Sequence, residues 1–255
     1  MLVSSGVRFL RSLAIWAVIA GATILVGVPA ILTARIPPRG VWFRRLSRIW
    51  ASIILHVSGV RVRVLHAEHL GGVASFVIAP NHESFYDIPV LFASLPMSVR
   101  FLAKRNLFRL PFLGWAMAAA GFVPVDRGKR GRTAATIETS LRRLETGSSL
   151  IVFPEETRTR TGELLPFKTG AALLAIRAGL PVLPLGISGT FRIQKRGGFT
   201  ITPSKVVLAV GAPISVDGRA PRERAAVTAE VRERVAALRN EARAAVAYNS
   251  APEER

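Results

Sequence analysis

Beyond Val60 the chain alternates short apolar runs with longer segments in which apolar residues recur at helical spacing. Runs typical of strands lie at 61–66, 75–80, 99–104, 121–125, 149–154, 181–187 and 205–211. Segments typical of helices lie between most of them, at 84–95, 106–119, 131–146, 168–178 and 221–247. This alternation predicts an α/β fold, with a central sheet core flanked by helices.

The amino-terminal part has a different pattern. From Ser12 to Ala34 there is no charged residue, and this stretch is long enough to cross a hydrocarbon core of ~30 Å. A secretory signal is the competing interpretation, but signal peptides have a shorter apolar part of about 7–15 residues. Residues 41–58 place Arg and Trp among apolar positions, which predicts an amphipathic helix at a membrane surface. We therefore expect a membrane-associated helical segment at 1–60 and an α/β domain at 61–250.

The chain is strongly basic, with 35 Lys and Arg against 16 Asp and Glu and a formal net charge of +19. This balance favours an anionic membrane, a nucleic acid or a phosphate-bearing substrate as partner. Aromatic residues make up only 7% and are not interleaved with arginine as in RNA-binding modules, so we expect no nucleic acid. Arginines flank both ends of the apolar stretch, which favours a bacterial inner membrane with the domain on its cytoplasmic face. The pattern fits a spanning helix and also a helix pair within one leaflet.

The stretch APNHESFYDIP follows the second strand-like run and holds a histidine and an aspartate five positions apart. Inside a regular helix these residues would point about 140° apart, so they can meet only if His82 lies on a loop that folds back over the first helical turn. Asp87 would then fix one imidazole nitrogen as a donor and leave the other free to take a proton from a hydroxyl. The alternative is a plain helix start, with Ser84 as N-cap and Asp87 three residues later. That alternative leaves Asn81 and His82 unexplained.

Basic residues recur at the ends of the predicted strands and in the loops after them. Lys104 ends one run, Arg127 follows GFVPV, and Arg158 follows SLIVFP. Ligands of α/β proteins bind at the carboxyl ends of strands, so these positions predict a phosphate-binding edge. In a chain this basic, many arginines are simply solvated. Arg127 and Arg158 are better candidates because each lies beside an acidic residue in a short turn after a strand.

The blocks NHESFYD, GFVPVDR, FPEETRT and LPVLPL, in this order, resemble the glycerolipid acyltransferase family, most closely its 1-acylglycerol-3-phosphate acyltransferases. The blocks cover about residues 80–186. The resemblance implies transfer of a fatty acyl group to the free hydroxyl of lysophosphatidate, which gives phosphatidate, by an acyltransferase domain at 61–250. It implies His82 as general base and Asp87 as the group that orients it, with Asn81 and Ser84 supporting the turn. It assigns acceptor binding to Arg127, Glu155, Thr157 and Arg158, with Lys104 as a further helper.

The reaction needs no cofactor, because a thioester is already activated and the protein has only to deprotonate an alcohol and stabilise an oxyanion. The chain has no cysteine and no H-E-x-x-H pattern, so we expect neither a thiol nucleophile nor a metal. The expected partners are a lysophospholipid acceptor, acyl-CoA or acyl-carrier protein as thioester donor, and an anionic membrane. Two alternatives stay open: a lipid hydrolase in which His82 activates water, and a non-catalytic protein that binds membranes through its charge.

One position departs from the family pattern. Where the family usually reads FPEGTR, this chain reads FPEETR, with Glu156 in place of glycine. Since glycine permits a positive φ, the change predicts a more ordinary backbone conformation and adds a negative charge near the expected phosphate site. Another lysolipid, for example a lyso-ornithine lipid, is therefore the alternative acceptor.

Overall fold

The computed structural model describes residues 5–33, 41–71, 75–125, 133–144 and 147–248. Within these ranges the strands are β1 (Arg61–Leu65), β2 (Val77–Pro80), β3 (Val99–Lys104), β4 (Val123–Val125), β5 (Ser149–Ile151), β6 (Val182–Ser188) and β7 (Lys205–Val210). They form one sheet in the order β1-β7-β6-β2-β5-β3-β4. Neighbouring strands are parallel except β6 and β7, which are antiparallel. The prediction of a central sheet flanked by helices is confirmed.

The helices of the described residues follow the predicted segments in order, with two exceptions: the short helix at 190–193 was not predicted, and the segment at 106–119 is not one helix. They are α1 (Ser5–Thr33), α2 (Val41–Val57), α3 (Asp87–Ser94), α4 (Leu113–Ala119), α5 (Thr133–Leu144), α6 (Gly170–Ala178), α7 (Thr190–Ile193) and α8 (Arg224–Tyr248). The prediction of a single helix at 106–119 is wrong. A 3-10 turn ends at Arg109, and Leu110 is extended with ψ 127°. Pro111 disfavours helical backbone in the residue before it and has no N–H to donate, so the helix has to restart as α4.

Helices cover both faces of the sheet, and the side chains of β2 show how. Ile78 points into an apolar cluster that includes residues of α2 and α3, whereas Val77 and Ala79 point into a second cluster with α6 and α8. Every residue of β2 and β6 is buried. Strands covered on both sides read as continuous apolar runs in sequence, which is why these two were recognisable.

Helix α1 lies against the domain along most of its length. The hydroxyl of Ser12 accepts a hydrogen bond from the Ile201 N–H at 3.0 Å, and the Trp16 indole N–H donates to the Phe199 carbonyl at 2.9 Å. On the side of α1 away from these contacts, Leu25 is 76% exposed. In the described part of the chain, α1 is the helix whose length and composition suffice to cross a membrane.

Candidate active site

The site begins where β2 leaves the sheet. The side chain of Asn81 pairs with the backbone of Ile187 in β6, donating to its carbonyl at 2.9 Å and accepting its N–H at 2.7 Å. The Asn81 side chain thereby makes the hydrogen bonds to β6 that the backbone of a further β2 residue would have made. The backbone is free to turn, and His82 emerges at the carboxyl end of β2 on a loop before α3.

His82 and Asp87 are in direct contact. Nδ1 of His82 lies 2.8 Å from Oδ2 of Asp87, and this oxygen also accepts the N–H groups of Glu83 and Ser84 at 2.7 and 3.0 Å. The hydroxyl of Thr190, in α7, donates to Oδ1 at 2.6 Å. An ionised carboxylate only accepts hydrogen bonds, so Nδ1 carries the ring proton and Nε2 is left with a free lone pair. The loop thus brings the pair together as the sequence required.

The alternative interpretation, a plain helix start with Ser84 as N-cap, does not hold. Helix α3 begins at Asp87, and its N-cap, Tyr86, makes no side-chain capping bond. The hydroxyl of Ser84 instead donates to the Gln194 carbonyl at 2.8 Å. The reason is that the Asp87 carboxylate reaches back to the Ser84 N–H itself, so the serine oxygen is free to fasten the loop to the segment after α7.

The loop after β5 supports His82 from behind. Oε1 of Glu155 accepts the His82 N–H at 2.6 Å, and Oε2 accepts the Leu165 N–H at 2.8 Å. The ring of Phe153 stacks on the imidazole with centroids 3.8 Å apart. Burial raises the pKa of Glu155 to about 7, against the opposing effect of these backbone hydrogen bonds. Glu155 therefore holds the histidine backbone, and both of its oxygens are occupied there.

Glu156 adopts the left-handed backbone conformation, with φ 57°. The prediction of a more ordinary conformation at this position is wrong. The loop path is set on one side by Glu155 and on the other by Thr159, whose N–H donates to the His82 carbonyl at 3.0 Å. Because both neighbours are committed to His82, residue 156 has to take a positive φ whatever its side chain. A non-glycine residue accepts this at a cost of about 1–2 kcal/mol.

A buried ion pair that sequence reasoning missed lies beneath the loop. Nε of Arg239, in α8, is 2.9 Å from Oε1 of Glu83, and both side chains are less than a tenth exposed. Arg239 also donates to the Gly162 carbonyl. Burial and the charge of Asp87 raise the pKa of Glu83 to about 7, and Arg239 opposes them. On a helix patterned as an ordinary surface helix, Arg239 carries no sequence signal that separates it from its neighbours.

A cavity of about 670 Å³ opens beside His82. Most of its lining is apolar and comes from α1 to α4 and β3, including Trp16, Phe92 and Met117. The polar and charged residues of its lining include His82, Lys104, Thr157, Arg158 and Arg196. Burial, and secondarily the charge of Arg196, lowers the pKa of Arg158.

The cavity therefore unites three predicted binding residues with the histidine, namely Lys104, Thr157 and Arg158. Asn81, Ser84 and Glu155 lie behind them as supports of the loop. Arg127 lies outside the described residues. Thr190, Phe153 and Arg196 were not predicted. The pair of glycines after Arg196 marks a turn and was the only signal that could have drawn attention to it.

Residues 61–188 match the model of the family described as Acyltransferase, about half of the chain. The chain belongs to the acyltransferase family. Over 83% of its length this acyltransferase is 30% identical to 1-acyl-sn-glycerol-3-phosphate acyltransferase alpha of Mus musculus, covering 75% of that protein. It is 34% identical to a chloroplastic 1-acyl-sn-glycerol-3-phosphate acyltransferase of Brassica napus over 60% of this chain and 44% of the relative.

The corresponding chloroplastic protein of Arabidopsis thaliana is 32% identical to the acyltransferase over 68% of this chain and 48% of the relative. The chain thus spans about half the length of these two plant relatives. The crystal structure of PlsC from Thermotoga maritima, titled a 1-acyl-sn-glycerophosphate (LPA) acyltransferase, superposes with a TM-score of 0.80 over 92% of this chain and 95% of that one. At 24% identity this likeness shows the common fold.

Proposed function

We propose that this acyltransferase moves a fatty acyl group from a thioester to the free hydroxyl of lysophosphatidate and so forms phosphatidate. The observation that carries the proposal is the contact of His82 with Asp87 at the wall of an apolar cavity that also holds Lys104 and Arg158. Such a cavity suits a lipid with one acyl chain and one phosphate. Relatives 30–34% identical bear the name of this activity, which supports the same reaction.

In the proposed mechanism Nε2 of His82 takes the proton of the acceptor hydroxyl, and the alkoxide attacks the thioester carbonyl. Asp87 stabilises the imidazolium that forms. The tetrahedral intermediate collapses, the carbon–sulfur bond breaks, and the departing thiolate takes the proton back from His82. The cycle ends with a new ester, a free thiol and unchanged protein. It needs neither a cofactor nor an acyl-enzyme.

The acceptor's phosphate is assigned to Arg158 and Lys104, with Thr157 beside them, because these side chains line the same cavity as His82. Guanidinium and ammonium groups bind phosphate oxygens through charge-assisted hydrogen bonds. Arg127 is assigned to the same task on family resemblance. The acyl chain would occupy the apolar part of the cavity between α1 and α4.

We further propose that α1 and α2 hold the domain on the cytoplasmic face of a bacterial inner membrane. The exposed side of α1 includes Leu25 and Leu32, both more than two-thirds exposed, and arginines lie in its first two turns and in the sequence that follows it. Basic side chains near an anionic surface add to such attachment. The same positive charge would attract the phosphates of acyl-CoA or an acidic acyl-carrier protein, either of which can serve as donor.

The test is acyl transfer in detergent or liposomes, with acyl-CoA, lysophosphatidate and identification of the product by mass. We expect phosphatidate from the wild type and at least about 100-fold less from His82→Ala, since the general base is lost. His56→Ala, which removes an exposed histidine of α2, is the matched control and should keep wild-type activity.

Two results would redirect the proposal. Thiol release that is independent of any acceptor would indicate a hydrolase. Acylation of another lysolipid but not of lysophosphatidate, again abolished by His82→Ala, would show that the acceptor site differs from that of the relatives, with Glu156 as the first residue to examine.

A further inference from the structure

A turn after α7 brings Arg196 to the same cavity as His82 and Arg158. Nη1 of Arg196 donates to the Arg158 carbonyl at 3.1 Å. The two guanidinium groups are close enough for the charge of Arg196 to contribute to the lowered pKa of Arg158, after burial as the main cause. Two segments distant in sequence thus place like charges side by side at the cavity wall.

Neither charge is compensated by a direct ion pair, although the charge of Asp87 acts on the pKa of Arg158 against burial and Arg196. In the described part of the chain, neither Arg158 nor Arg196 forms an ion pair with a carboxylate. Arg158 is half-buried and Arg196 is exposed, and the repulsion between their guanidinium groups is relieved when an anion lies between or beside them. A phosphate monoester, which carries about −1.5 to −2 charges at neutral pH and several acceptor oxygens, suits both groups at once.

The turn is fixed on both sides. Before Arg196, the Gln194 carbonyl accepts the Ser84 hydroxyl of the His82 loop at 2.8 Å. After it, the Phe199 carbonyl accepts the Trp16 indole N–H of α1 at 2.9 Å. The position of Arg196 is therefore set by the loop that carries the histidine and by the helix that bounds the cavity. A phosphate ligand needs such a fixed position relative to the catalytic base.

We infer that Arg196 is a second arginine ligand of the acceptor's phosphate and selects an acceptor with a terminal phosphate monoester over an uncharged glycerolipid. The inference rests on the proposed function, since it concerns the acceptor of that reaction. Arg158 and Arg196 would share the phosphate oxygens, with the glycerol hydroxyl directed toward His82.

The test compares Arg196→Gln with Arg192→Gln, which removes an exposed arginine of α7 that does not line the cavity. Steady-state rates are measured against lysophosphatidate at saturating thioester, and then against thioester at saturating lysophosphatidate. We expect Arg196→Gln to raise the KM for lysophosphatidate about 10-fold, because one charge-assisted hydrogen bond to the phosphate is lost. Its kcat and its KM for the thioester should stay within about two-fold, and Arg192→Gln should match the wild type.

Two further comparisons sharpen the result. Arg196→Lys keeps the charge and should recover part of the lost affinity. On monoacylglycerol, which lacks the phosphate, Arg196→Gln should have the same activity as the wild type. Equal melting temperatures of the variants and the wild type exclude misfolding as the cause of a raised KM.

The inference is overturned if Arg196→Gln and Arg192→Gln have the same KM for lysophosphatidate. It is also overturned if only the KM for the thioester rises, which would place Arg196 at the donor. In both cases the wild type still makes phosphatidate, so the proposed function stands. A wild type that makes no phosphatidate refutes the proposed function and the inference together.

Discussion

Asp87 is the residue on which the histidine depends most. Both of its oxygens are occupied by donors, including Nδ1 of His82 and the Thr190 hydroxyl. In Asp87→Asn the amide oxygen can face His82 and the NH₂ group can donate to Thr190, so the packing survives while the negative charge is lost. We expect kcat to fall about 100-fold or more, because the imidazolium is no longer stabilised. The measurement is kcat for phosphatidate formation at an unchanged melting temperature.

Thr190→Val provides the comparison for Asp87→Asn. It removes one donor to the carboxylate and keeps the charge, so its kcat should fall less than that of Asp87→Asn. Equal rates for Asp87→Asn and the wild type would rule out an electrostatic task for this residue.

Glu155 makes the stability of the protein depend on pH. Its pKa is raised from 4.5 to about 7 in the folded state, mainly by burial. The folded state therefore holds this proton more tightly than the unfolded state, and the resulting stability is fully present below pH 4.5 and is lost as the pH rises through about 7. We expect the melting temperature to fall between about pH 5 and pH 8.

The matched variant is Glu155→Gln, measured by thermal unfolding over the same pH range. It should melt below the wild type at low pH, because one backbone N–H loses its acceptor, and its melting temperature should depend less on pH. Some dependence should remain, since the pKa of Glu83 is also raised to about 7. Parallel curves for variant and wild type would contradict the assignment to Glu155.

At the scale of single residues, the sequence predicted contacts that are short in chain distance. The contact of His82 with Asp87 was predictable, because residues five positions apart point in different directions in a helix and can meet only across a loop. Thr190 and Arg196 lie more than a hundred residues away from the histidine, and only the folded sheet brings them there. Glu156 was misjudged for a related reason, since its φ is imposed by the contacts of neighbouring residues with His82.

At the scale of elements, the ion pair of Arg239 with Glu83 joins α8 to the loop of His82. Arg239→Met leaves Glu83 buried without a partner, which should lower the free energy of unfolding by about 3 kcal/mol at pH 8. The loss should be smaller at pH 6, where Glu83 takes up a proton. The double variant Glu83→Gln/Arg239→Met should regain part of the stability, because no buried charge remains.

Chemical denaturation of the wild type, both single variants and the double variant measures this coupling. Arg243→Met replaces an exposed arginine on the same helix and should leave the free energy of unfolding within about 0.5 kcal/mol of the wild type. If the losses of the two single variants simply add in the double variant, the pair does not connect α8 with the loop.

The strands β2, β5 and β6 were predictable as elements because burial on both faces gives a continuous run of apolar residues in the sequence. The helix boundaries were less predictable from the sequence than the strands. The segment at 106–119 has helical spacing throughout, yet Pro111 divides it, and Phe112 takes φ 59° to start α4. The amphipathic pattern of α8 predicted a helix that covers the domain, but it did not predict that Arg239 turns inward.

At the scale of the whole molecule, the order of the strands places the chemistry. The parallel strands β2, β3, β5 and β6 have their carboxyl ends at one edge of the sheet. Lys104 ends β3 at this edge, and His82 and the loop of Arg158 follow β2 and β5. The sequence showed that these residues follow strands, and parallel pairing made a common edge the natural expectation. It contained no sign of the antiparallel β7, whose pairing with β6 depends on contacts far apart in the chain.

The position of α1 relative to the domain constrains how the molecule meets a membrane. Contacts with the domain extend from Ser12, bonded to Ile201, to Gly27, which lies against Ala116. At 1.5 Å per residue this is about 22 Å, most of the thickness of a hydrocarbon core. If α1 stood across the bilayer, the parts of the domain that contact it would have to enter the hydrocarbon. A tilted helix in one leaflet, with both ends on the domain's side, avoids this.

The absence of cysteine from the chain allows a direct test with single introduced cysteines. Leu10→Cys and Leu32→Cys lie near the two ends of α1, and Arg177→Cys, on α6, marks the domain; all three positions are exposed. Each variant is labelled with a nitrobenzoxadiazole fluorophore, reconstituted into liposomes with most domains outside, and treated with external dithionite, which does not cross the bilayer. For a helix in one leaflet, the same fraction of label should be reduced at all three positions. For a spanning helix, the label at one end of α1 should instead be protected in a fraction of molecules equal to the fraction in which the Arg177→Cys label is reduced. That result would place the domain's contacts with α1 inside the bilayer.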